Sequence, residues 1–169
     1  MQSVNRQSAV EAHTNMEFSI RSANLEDAAS IAGLLRALGF ARMQAEQPDE
    51  TRQKVRAQLE RCLADDSHAV LVAESAAGDI LGYAAVHWLP YLIHAGPEGY
   101  VSELFIDEAC RGQGIGSALL DEVTTLARQR GCARLSLLNM RGRESYLRGF
   151  YKQHGWEERP DAANFVLLL

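Results

Sequence analysis

Two hydrophobic periods run along the chain and divide it into elements. Short apolar runs at 18–21, 69–74, 80–88 and 133–138 read as strands. Residues 69–74 and 80–88 flank Ala76-Ala77-Gly78-Asp79, which predicts an antiparallel hairpin. Between the first two runs the period changes. Leu25, Ala28, Ile31, Leu34, Leu35 and Leu38 recur at helical spacing behind Asn24, a preferred N-cap, and stop near Gly39. A loop is predicted over 40–48. Asp49 then opens a second helix with Val55, Leu59, Cys62 and Leu63 on its buried side. Residues 144–154 form a third helical pattern, with Leu147, Phe150, Tyr151 and His154 on one side and Gly155 as its stop. The apolar run at 164–169 predicts a last strand returning antiparallel to the sheet.

The most informative stretch is 100–120. Val101, Leu104, Phe105 and Ile106 predict a strand, and Asp107, Glu108 and Ala109 a turn. Gly112, Gly114 and Gly116 follow at every second position. Ile115, Ala118, Leu119, Val123, Leu126 and Ala127 then fall at helical spacing, so a helix begins inside the glycines. Free N–H groups at a helix start attract anions, and glycine lets a phosphate approach the backbone. Arg111 adds a permanent positive charge. A Walker loop would end in Gly-Lys-Ser/Thr, but here Ser117 and Ala118 follow Gly116. A dinucleotide fingerprint would place its third glycine where Ser117 stands. The pattern present is Arg-x-x-Gly-x-Gly.

That pattern, with Phe150-Tyr151-Lys152-Gln153-His154-Gly155-Trp156 downstream, resembles the GCN5-related N-acetyltransferase (GNAT) superfamily. The resemblance covers the chain from Phe18 to its end. It implies an α/β fold with a mixed central sheet and helices on both faces, in the order β-α-α-β-β-β-α-β-α-β. In that fold the strand before the glycines and the next strand splay apart, and acetyl-CoA lies in the gap. By resemblance, the cofactor-binding residues are Leu104, Phe105 and Ile106 through their backbone, and Arg111, Gly112, Gln113, Gly114, Ile115, Gly116 and Ser117 in the loop. Many relatives carry a cofactor-contacting Asn seven residues before the tyrosine. That position is Glu144 here, Leu147 replaces the usual Ala, and Asn139 is an alternative contact.

Acetyl transfer to an amine needs a base, because an ammonium must lose a proton before it attacks. It also needs a donor for the oxyanion and an acid for the departing thiolate. The resemblance assigns the base to Glu103, directly or through a water, and the acid to Tyr151. A backbone N–H of Leu104, Phe105 or Ile106 is the expected oxyanion donor. Strict alternation along the strand predicts Ser102 and Leu104 on the face opposite Glu103. Phe40, Trp88, Tyr91 and His94 are candidates for the acceptor site, the last two in a loop where chance aromatics would read the same way.

Composition narrows the rest. A chain of 169 residues predicts a single domain over 16–169, with polar residues 1–15 as a loose leader and Met16 as an alternative start. The net charge of -5 argues against a broad nucleic-acid surface, and no apolar run nears the ~20 residues that span a bilayer. Cys62, Cys110 and Cys132 are odd in number and far apart, which predicts reduced thiols and a cytoplasmic location. His87 and His94 lack metal-ligand spacing, and no Gly-x-Ser-x-Gly elbow is present, so neither a metal nor a serine hydrolase is expected. The expected function is N-acetylation of a small amine or a peptide amine. A catalytically weak acyl-CoA-binding sensor or scaffold is the alternative, disfavoured by Glu103 and Tyr151 together. The apolar run at 165–169 suggests a homodimer.

Overall fold

The computed structural model describes residues 16–168, so the expected leader at 1–15 lies outside the described residues. Five strands build one sheet, in spatial order β1 (Phe18–Ser22), β2 (His68–Ser75), β3 (Ile80–Leu89), β4 (Glu98–Ile106) and β5 (Arg134–Leu137). Neighbours pair antiparallel except β4 and β5, which run parallel. A parallel pair needs a crossover, supplied here by helix α4 (Ile115–Gln129). The mixed sheet with helices on both faces is the architecture expected from the sequence.

Period-two alternation sorts the strand residues between two cores. Leu71, Ala73, Leu81, Ala84, Val86, Trp88 and Val101 pack against Ile115, Leu119, Val123 and Ala127 of α4. Val70, Val72, Tyr83 and Ala85 face the other way, onto Ile31, Leu34 and Leu35 of α1 (Ala28–Ala37) and Leu59 of α3 (Pro48–Cys62). Fully burying each large aliphatic chain contributes about 1.5–3 kcal/mol, so these two clusters set the position of β4 between them. Among the described residues no helix is long and apolar enough to cross a membrane.

Four boundaries differ from expectation. The loop over 40–48 contains a short helix, α2 (Ala41–Ala45), and α3 begins at Pro48, whose missing N–H costs nothing in a first turn. β4 starts at Glu98, whose carboxylate is buried by pairing and so hides the strand start from a hydropathy pattern. The helix over 144–154 is two helices, α5 (Glu144–Leu147) and α6 (Phe150–Gln153), parted by Gly149 at φ +67°. The last strand is not formed: residues 164–168 join no ladder, and Phe165, Val166, Leu167 and Leu168 are exposed. Strand propensity is realised only against a partner, and none is paired with this run.

The start of α1 is tied to the sheet by charge. The Arg21 guanidinium donates to both Asp27 oxygens at 2.8 Å and to both Glu74 oxygens at 2.8 and 2.9 Å. Asp27 also accepts from the Asn24 N–H at 2.8 Å, closing a capping box. Arg21 holds the buried Asp27 carboxyl below its ordinary range, mainly through these hydrogen bonds. Its stabilising contribution is therefore complete above the ordinary carboxylate pKa of about 4 and is lost as pH falls through the lowered native value. Asp27→Ala leaves Arg21 short of a partner and the N-terminal turn uncapped. It should lower the unfolding free energy by about 2–4 kcal/mol, measured by urea titration at pH 7, with a smaller deficit near pH 3.

Candidate active site

The β4–β5 ladder is short. It runs from Glu98 opposite Arg134 to Val101 opposite Leu137 and stops, while β4 continues to Ile106 against β3. The stop coincides with a bulge. Ala85 pairs with Glu103 and Val86 with Val101, leaving Ser102 as the extra residue. A bulge bends its strand and adds twist, which carries the second half of β4 away from β5. Ser102 is consequently not opposite Glu103 as strict alternation predicts. Its hydroxyl donates to Ala85 O at 3.3 Å and lies 2.9 Å from His87 Nε2, on the α1 side of the sheet. Leu104 does face the opposite core. Below the divergence the strands are clamped by the Glu98 carboxylate, only 4% exposed, which accepts from Arg134 and Ser136 of β5.

The released edge of β4 ends at the glycine loop. Gly112 and Gly114 sit at φ +79° and +83°, backbone that L side chains avoid. A Cβ at either glycine would meet no protein atom within 4 Å, so conformation rather than crowding requires glycine and the loop's outer face stays open. Gly114 caps α4 without a side-chain hydrogen bond, so the N–H groups of the first turn at Ile115, Gly116 and Ser117 are available to an anion. Ile115 is fully buried, which fixes the helix start against the sheet. The sequence's second motif docks on the first. The space beside Gly116 is filled by the Phe150 ring, 3.5 Å from where a Cβ would stand. His154 Nδ1 donates to Phe150 O at 2.8 Å, and its Nε2 lies 2.9 Å from Ser117 Oγ. Nothing in the spacing of the motifs showed this histidine's role as the joint between them.

Arg111 is ion-paired at the loop mouth, to Glu108 at 3.1 Å and Glu144 at 3.7 Å. Glu144, at the position where many relatives carry Asn, thus faces the loop's cation. Asn139 accepts from Ser145 Oγ at 3.2 Å and keeps a buried Nδ2 without a partner. Gln113 Oε1 is likewise buried and unpartnered. A strand edge with free amides, open left-handed glycines, an uncapped helix start and spare amide groups fit a ligand that joins a pyrophosphate to an amide-bearing arm.

Glu103 projects from the far side of the bulge. Its Oε2 accepts from the Tyr83 hydroxyl of β3 at 2.7 Å. Phe105 stands beside them, tilted on Tyr83 and edge-on to Phe40 with centroids 5.4 Å apart, so Phe40 lies in this group. Arg143 lies over the Phe40 ring at 5.7 Å, bridging from beyond β5. Tyr151 is half-buried in a cavity of about 460 Å³ that Tyr100, Ser136 and Asn139 also line. Burial pushes its phenol up, against an opposing effect of Arg148, so the hydroxyl remains protonated at neutral pH.

Three acceptor candidates are not brought to this place. Trp88 is 7% exposed in the α4-side core, under Gly99, because its ring is the largest apolar volume at that strand end. Tyr91 and His94 pair with each other in the β3–β4 turn, 5.5 Å between centroids. That turn precedes β4, whose Glu98–Glu103 stretch spans about 17 Å at ~3.4 Å per residue.

A model of the acetyltransferase (GNAT) family matches residues 34–156. The chain belongs to that family. A curated relative, glucosamine 6-phosphate N-acetyltransferase 1 of Oryza sativa subsp. japonica, is 31% identical over 125 residues, covering 72% of this chain and 73% of the relative. Among solved structures, a transcriptional regulator from Bacillus halodurans C-125 has the same fold at a TM-score of 0.79 and 23% identity, covering 90% of this chain and all of that one. Glucosamine-6-phosphate N-acetyltransferase from Arabidopsis thaliana does so at 0.69 and 19%, covering 89% and 98%. GNAT proteins are acetyl-CoA-dependent acetyltransferases, and the open loop and free strand edge suit that cosubstrate.

A valine at Gly114 combines a branched Cβ with φ +83°, a strain of about 1–3 kcal/mol, and fills the loop's open face. Gly114→Val should weaken acetyl-CoA binding at least tenfold by calorimetry. Wild-type affinity would remove the loop from the cosubstrate site.

Proposed function

We propose that this chain moves the acetyl group of acetyl-CoA directly onto the primary amine of a small acceptor, with glucosamine 6-phosphate as the first acceptor to try. The observation that carries the reaction is the Glu103 carboxylate standing on the released stretch of β4, directly before the glycine loop. The acceptor class rests on the 31% identity to the rice enzyme.

In this reading Glu103 takes the proton of the acceptor ammonium, directly or through one water. The freed nitrogen lone pair attacks the thioester carbonyl, and a backbone N–H of the stretch from Leu104 to Ile106 steadies the oxygen as charge develops. The C–N bond forms, the C–S bond breaks, the Tyr151 hydroxyl gives its proton to the departing thiolate, and the second proton shed by the new amide nitrogen restores the tyrosine. The first turn of α4 and Arg111 hold the pyrophosphate, for which Arg111 exchanges its carboxylate partners. Asn139 supplies its unpartnered Nδ2 to an acceptor atom of the cosubstrate arm. Phe40 and Phe105 border the acceptor.

A homodimer belongs to the same reading. Exposed Phe165, Val166, Leu167 and Leu168 form an apolar run of a kind that monomers rarely leave to water. Among the described residues β5, like β1, pairs on one side only, so each copy offers a strand-forming segment and the β5 edge, a set that closes under two-fold symmetry. Light scattering at micromolar concentration should give twice the mass of one chain, and a monomer mass would sink this assignment.

Thiol release from acetyl-CoA against a panel of amines tests the activity, with glucosamine 6-phosphate, polyamines, amino acids, aminoglycosides and lysine peptides in the panel. Tyr151→Phe keeps the ring and removes only the hydroxyl. Its kcat should fall roughly 10²–10⁴-fold with acetyl-CoA Kd unchanged within a few-fold. Normal turnover with a lowered melting temperature would instead make Tyr151 a packing residue.

A further inference from the structure

Tyr83 is a core residue with a polar atom it does not need for packing. It is 2% exposed on β3, among Val72, Ala85 and the α1 side chains. A buried hydroxyl without a partner costs free energy, and phenylalanine would fill the same space without that cost. The hydroxyl is satisfied by one group, Glu103 Oε2 at 2.7 Å. The ring cannot swing aside, because it is enclosed and rests against Phe105 with centroids 5.9 Å apart.

The surroundings of Glu103 make that hydrogen bond matter. The groups that face it are Tyr83 and His87 of β3 and Cys62 of α3. Burial, reinforced by the nearby carboxylate, pushes the Tyr83 phenol and the Cys62 thiol up, so both stay protonated. Burial and neighbouring His68 push His87 down, against the opposing pull of Glu103. Among the described residues no Lys or Arg forms an ion pair with Glu103. Tyr83 is therefore the one side chain hydrogen-bonded to this carboxylate, and Glu103 itself is solvent-accessible. A carboxylate on an accessible strand has free rotamers unless something ties it.

We propose that Tyr83 is a positioning residue for acetyl transfer: its hydroxyl holds Glu103 by Oε2 in one orientation and leaves Oε1 free to receive the acceptor's proton. The inference rests on Glu103 being the base. The hydrogen bond fixes the aim of the carboxylate. No covalent step is added. The proton still passes from the ammonium to Glu103, and Tyr83 keeps its own.

The test uses the intact protein, acetyl-CoA, and glucosamine 6-phosphate or whichever panel amine turns over fastest. Glu103→Gln comes first and should lose about 10²-fold or more in kcat. Tyr83→Phe should lose roughly tenfold in kcat, the equivalent of one hydrogen bond to a charged group, with the acceptor KM changing much less than kcat. Acetyl-CoA Kd should not change. In the Glu103→Gln background, Tyr83→Phe should cost no further activity. Wild-type kcat in folded Tyr83→Phe, or a further loss from Tyr83→Phe in the Glu103→Gln background, overturns the positioning role while a slow Glu103→Gln leaves the base intact. A fast Glu103→Gln overturns both. A lowered melting temperature in Tyr83→Phe with wild-type kcat makes Tyr83 a packing residue only.

Discussion

Everything in the site follows from two strands that are joined at one end and released at the other. At the joined end, the buried Glu98 carboxylate on β4 is neutralised by Arg134 and Ser136 of β5. A buried charge pair of this kind is costly to break from one side, so it holds the strands in register where hydrophobic contact alone would let them slide. At the other end the Ser102 bulge turns β4 away. The price is a ladder only as long as Glu98–Val101; the gain is a β4 edge that β5 leaves unpaired from Ser102 to Ile106.

The glycine loop depends on that divergence for its placement. α4 is anchored by Ile115, Leu119 and Val123, all inaccessible to solvent, so its first turn cannot drift from the end of β4. The chain then passes through β5, and the two short helices after it return to the same point. Gly149 makes this possible by breaking the helical path, so that α6 lays Phe150 on Gly116 and His154 on Ser117. Two motifs more than thirty residues apart in sequence are thus one structural unit. His154 thus bears on the first turn of α4 although its ring lies outside the loop.

Charge is distributed with the same economy. An ionic network away from the site, Arg21 with Asp27 and Glu74, fixes the start of α1 on the sheet. It thereby sets the helix whose end leads to Phe40. Around Glu103 the neighbours are neutral instead, with Tyr83 and Cys62 kept protonated by burial. Arg111 is held at the loop mouth by surface carboxylates. Such exposed pairs are worth little in water, so the guanidinium can change partners.

The sequence alone determined the order of the strands from β1 to β5, because residue type marks them: short apolar runs such as 69–74 and 80–88 stand apart from the three-to-four spacing of Leu25 to Leu38. It also determined the glycine loop, since Gly112 and Gly114 need left-handed backbone that other residues avoid. It put Glu103 and Tyr151 forward only through family resemblance. What it did not carry were features that exist between elements. The Ser102 bulge depends on the register of β3 against β4, and no single strand encodes it. Tyr83 became a partner of Glu103 only once that register put them together. Trp88 read as a site aromatic until packing placed it under Gly99 in the opposite core. Glu98 looked like a loop residue because its burial rests on Arg134, far along the chain. The run at 164–168 read as a strand on propensity, but a strand is a relation to a neighbour, and tertiary structure supplied none. Local chemistry fixed what each segment prefers; pairing and packing decided which of those preferences were used.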